Sequence, residues 1–69
     1  MSYNYAKLLG RIVEVFGTQA KFAEAMDLSE HTVSAKLNGK AEWKQGEISR
    51  ACSLLGIAEQ DIHFHFFAI

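Results

Sequence analysis

The sequence predicts an all-α domain of five helices, the last of them short. Two observations carry this expectation. Apolar residues recur at spacings of three and four along most of the chain, and the segments so patterned are bounded by residues that start or stop helices. Only the final stretch, IHFHFFAI, offers the alternation of a strand as well. With 69 residues the chain forms one unit, 1–69, without room for a second core.

Met1 to Asn4 has no apolar period and reads as a loose lead-in. From Tyr5 a first helix begins, with Leu8, Ile12, Val15 and Phe16 on its inner side and Lys7, Arg11 and Glu14 opposite. It ends at Gly17. An interior glycine costs about 1 kcal/mol of helix propensity, so Gly10 is expected to permit close packing. Thr18 is placed to cap a second helix running to about Met26, whose inner face carries Phe22, Ala23 and Met26.

A short Asp27-Leu28 link leads to Ser29, the cap of a third helix. Val33 and Leu37 lie four apart and point inward. Rotation of a hundred degrees per residue then puts His31, Thr32, Ala35 and Asn38 on the opposite side, with Ser34 and Lys36 on the flanks. Gly39 suits the left-handed position that closes such a helix.

The segment KAEWKQ, 40–45, reads as a loop. Its Trp43 is expected to close the open end of the core, the indole N–H meeting water or a carbonyl, or else to stack on a partner. From about Gly46 the helical period returns through Ile48, Ala51, Cys52 and Leu55 until Gly56 stops it. The lone Cys52 belongs to that apolar face and is read as a buried, inert thiol. A short fifth helix or turn starts near Ala58, where Glu59 and Asp61 suit a helix N-terminus.

The tail is ambiguous. Ile62, Phe64 and Phe66 alternate with His63 and His65 as in a strand, yet Ile62 and Phe66 are also four apart as in a helix. It is too apolar for a solvated end. Part of it must close the core, and the rest, with Phe64, Phe66, Phe67 and Ile69, is assigned to a homodimer interface. His63 and His65 would share a face on a strand, but two histidines without a third ligand do not make a metal site, and no metal or cofactor is expected.

Composition excludes several classes. A hydrophobic content of 49% is too high for a disordered chain, and the sequence contains no long apolar run, cleavage site or lipidation signal. The expectation is a soluble intracellular protein with no membrane partner. No phosphate loop, nucleophile–base pattern or informative carboxylate pair points to an enzyme. Seven Lys and Arg against eight Asp and Glu give a net charge of −1, whereas an isolated nucleic-acid module is usually basic. Lys36, Lys40 and Lys44 nevertheless follow the third helix closely, so a segregated positive face is conceivable.

The unit 18–39 carries a family likeness. Gln19, Ala23, Val33 and the run Asn38-Gly39-Lys40, matched without a gap, resemble the helix-turn-helix of the phage Cro and lambda-type repressor family. The whole chain is similar to its small single-domain members from phages of Gram-positive bacteria. Where family members often have Gly in the interhelix turn, this chain has Asp27, a residue that tolerates the left-handed conformation. The resemblance implies a lambda-repressor-like fold, DNA binding and dimerisation, often through C-terminal elements.

The expected mechanism is therefore major-groove reading of a double-stranded operator by the helix 29–38. Ser29, Glu30, His31, Thr32, Ser34 and Ala35 are the candidate base readers: Thr32 and Ala35 offer methyl contacts to thymine, His31 a donor to guanine, Glu30 an acceptor for the cytosine amino group. Thr18, Gln19, Lys21, Lys36, Asn38, Lys40 and Lys44 are the candidate phosphate contacts. The main expectation is thus a Cro-like repressor. The alternative uses the same fold for protein recognition: the resemblance also covers small phage proteins that bind and modulate their own phage's repressor, and a near-neutral charge with an apolar tail suits that role.

Overall fold

Five α-helices account for the helical periods, in the order α1 (Ala6–Phe16), α2 (Gln19–Met26), α3 (Glu30–Leu37), α4 (Gln45–Leu55) and α5 (Ile62–Phe66), with a 3-10 turn at Glu59–Asp61 before the last. The computed structural model describes residues 5–67. The lead-in Met1–Asn4 and the interface candidate Ile69 lie outside the described residues. Among those described there is no strand, so the tail's ambiguity resolves as helix.

Local chemistry sets most boundaries. The Thr18 hydroxyl accepts the Lys21 N–H at 3.2 Å and the Ser29 hydroxyl accepts the Thr32 N–H at 3.1 Å, each satisfying one of the open donors of a first turn. Asp27 ends α2 with φ 60°, the one described non-glycine residue with positive φ. The Leu28 N–H then reaches the Ala23 carbonyl at 3.0 Å, so Asp occupies the place glycine usually takes. After α3 the same closure uses Gly39 at φ 75°, with the Lys40 N–H donating to the Ala35 carbonyl at 2.9 Å.

The core gathers Leu8 and Ile12 from α1, Phe22 from α2, Val33 from α3, Leu55 from α4 and Phe66 from α5, all essentially inaccessible. α1 packs on α2, α4 and α5, while α2 also packs on α3 and α4. Ring edges bind the ends together: Phe16 meets Phe22 at 5.5 Å and Trp43 meets Phe66 at 5.3 Å between centroids. Two arginines tie helix C-termini whose carbonyls lack partners of their own. Arg11 Nε donates to the Leu55 carbonyl at 2.7 Å, and Arg50 Nη2 to the Ala25 carbonyl at 3.1 Å. Gly56, at φ 66°, holds a backbone conformation that favours glycine, and a Cβ there would stand 3.3 Å from Arg11 Nη2, which would have to give slightly.

Several expectations need correction. Val15 is exposed rather than core, because α1 turns only Leu8 and Ile12 fully inward, with Phe16 half-buried beside them. Nothing lies within 4 Å of a Cβ at Gly10, so that glycine serves no close packing. The loop after α3 ends one residue earlier than read, since Gln45 already begins α4.

Candidate functional site

Two surfaces compete for a functional role: the outer side of α3 and the end of the molecule where α4 faces α5. On α3 the side chains of Ser29, Glu30, His31 and Asn38 are exposed, while Thr32, Ser34 and Ala35 are half-buried. Much of the polar chemistry here is already engaged within the chain. Ser29 donates its hydroxyl to Thr32 Oγ1 at 2.8 Å, and the Asn38 amide donates to the Ser34 carbonyl at 2.9 Å and to its hydroxyl at 3.3 Å. Around this face Thr18, Lys21, Lys40 and Lys44 are exposed and Gln19 is half-buried.

Lys36 is the clearest departure from the sequence reading. Read as a phosphate contact on the flank of α3, it is instead only 5% exposed. Its Nζ lies 2.8 Å from Glu47 Oε1, donates to the Glu42 carbonyl at 2.7 Å and stands 5.9 Å from the Trp43 ring centroid. The physical reason is the turn of the chain: the loop after Gly39 brings the Glu42 carbonyl and Glu47, in the first turn of α4, within reach of Lys36, offering an acceptor set to a long cationic side chain that would otherwise be solvated. Burial opposes the charge on Glu47, but the Lys36 hydrogen bond, the Lys44 backbone N–H at 2.9 Å and the positive charges of Lys36 and Lys44 outweigh it, holding its carboxyl below the usual 4.5.

With Arg11, Arg50 and Lys36 all turned to internal acceptors, less of the cationic complement of seven remains for an outside phosphate. Glu24, Asp27, Glu30 and Glu42 are exposed in the same half of the chain as Lys21, Lys40 and Lys44. The α3 side is thus a mixed-charge surface.

The second surface combines apolar residues with Gln45, Ser49 and Glu59. A groove of about 680 Å³ runs between α4 and the 57–67 segment, walled by Trp43, Ile48, Ile57, Ile62 and Phe67, with Glu59 at its edge. Trp43 meets the expectation of a residue closing the core end, its ring set against Phe66 and Tyr5. Its indole N–H does not: it is buried without a hydrogen-bond partner among the described residues. Cys52 lies at the groove floor, buried as expected, and burial pushes its thiol pKa up, away from reactivity.

Of the residues assigned to self-association, Phe66 is 1% exposed and belongs to the chain's own core, which corrects its assignment to a dimer interface. It turns inward because α5 is a helix, which places Phe66 on the same side as Ile62 and against Trp43. Phe64 and Phe67 remain 54% and 40% exposed, with the His63 ring between them. His63 and His65 consequently diverge. His65 is buried with Nδ1 2.8 Å from the Asp61 carbonyl oxygen, and no group of three potential metal ligands exists among the described residues. None of the described helices is long and apolar enough to cross a membrane.

A small helical domain with a mixed-charge third helix and an apolar far end is the class that fold and surfaces define. The chain belongs to the family described as protein of unknown function (DUF739), which it matches over residues 1–69. Its structure is similar to the solution structure of the modulator of repression (MOR) of the temperate bacteriophage TP901-1 from Lactococcus lactis, with 55% identity, a TM-score of 0.84, and coverage of 97% of this chain and 90% of that one. No curated protein matches the chain.

These findings overturn two expectations. The resemblance to the Cro and lambda-type repressor family, read from Gln19, Ala23, Val33 and 38–40, is corrected to membership of DUF739. The Cro-like, operator-reading function is corrected as well, because the similar solved protein is a modulator of repression. The physical origin of the error is that two capped helices around a tight turn are a packing solution, and packing does not fix what the outer face touches.

Proposed function

We propose that this protein is a phage-encoded modulator of repression, which binds the repressor of its own phage and alters that repressor's activity in the cytoplasm of the bacterial host. The observation that carries the reading is the 55% identity, across 97% of the chain, to the modulator of repression of TP901-1. Charge supports it independently: a net charge of −1, with Lys36 turned inward, suits a protein partner better than a polyanion. In this reading the protein acts by binding alone, without a catalytic step or cofactor.

The test is to mix the purified chain with the repressor encoded by the same phage and measure mass by light scattering after size exclusion. A complex containing both chains is expected. Two separate peaks at micromolar concentrations of each protein would refute the proposal.

A further inference from the structure

We draw no further inference here: the strongest candidate, the groove between α4 and the 57–67 segment with the adjoining exposed rings of Phe64 and Phe67, mixes apolar walls with Gln45, Ser49 and Glu59 and holds Lys7 Nζ 5.4 Å over the Phe64 ring, so nothing in the structure shows what covers it.

Discussion

The two ends of the molecule are built by different rules. The boundaries of the α2–α3 half are set by short-range chemistry: caps at Thr18 and Ser29, a left-handed Asp27, a closing Gly39, and an outer face whose hydroxyls and amide largely bond one another. The α4–α5 half is held by contacts between residues distant in sequence, with Phe66 on Trp43, Arg11 on the end of α4 and Lys36 on Glu47. Its outer surface exposes the rings of Phe64 and Phe67 among polar residues. The comparison teaches that a helix with a well-capped, polar outer face need not be the working surface of a small domain.

The difference between the halves can be broken at graded cost. Phe66→Ala removes the ring that closes the core under Trp43 and should cost about 4 kcal/mol, enough to unfold much of a domain this small; urea denaturation followed by circular dichroism measures it. Glu47→Gln leaves Lys36 buried without its counter-charge and should cost about 2 kcal/mol at neutral pH, less than a fully buried pair because the Glu47 side chain keeps 18% exposure.

That second effect carries a pH signature. The carboxyl pKa is lower in the fold than the ordinary 4.5, so its contribution is complete above that value and is lost as pH falls through the lower folded value. The stability gap between wild type and Glu47→Gln should therefore close in acid below about pH 4.5, and a gap unchanged between pH 7 and pH 3 would remove Glu47 from the account.

In the other half the effects are smaller, because each belongs to one turn. Ser29→Ala should cost about 1 kcal/mol through loss of the Thr32 N–H cap, read as a lower midpoint in thermal unfolding. Asp27→Gly should change stability by no more than about 1 kcal/mol, the relief of positive φ offsetting the extra freedom of glycine in the unfolded chain. A larger loss would mean that the Asp27 side chain does more than tolerate the turn.

These contrasts also explain what the sequence disclosed. Caps, the left-handed turn and the inner faces of α2 and α4 were legible because their determinants lie within four residues of one another. The burial of Lys36 was not, since a lysine on a helix flank reads as solvated and its partners, Glu42 and Glu47, lie six and eleven positions away. Nor was the form of the tail, where Ile62, Phe64 and Phe66 satisfy two periodicities and only the fit of Phe66 against Trp43 decides. The excess of apolar residues after Gly56 marks an apolar end, but the sequence does not show that Phe66 turns inward while Phe64 and Phe67 stay exposed. The function was misassigned for a related reason: helix spacing identifies a packing unit but leaves the partner of its outer face open.

The central claim, that this protein acts on a repressor and not on an operator, is tested most directly by electrophoretic mobility of phage promoter DNA with this protein alone, with the repressor alone, and with both. The account predicts no shift with this protein alone and a repressor shift that changes when it is added. A sequence-specific shift produced by this protein alone, with the repressor's own shift unaffected by its presence, would contradict the claim.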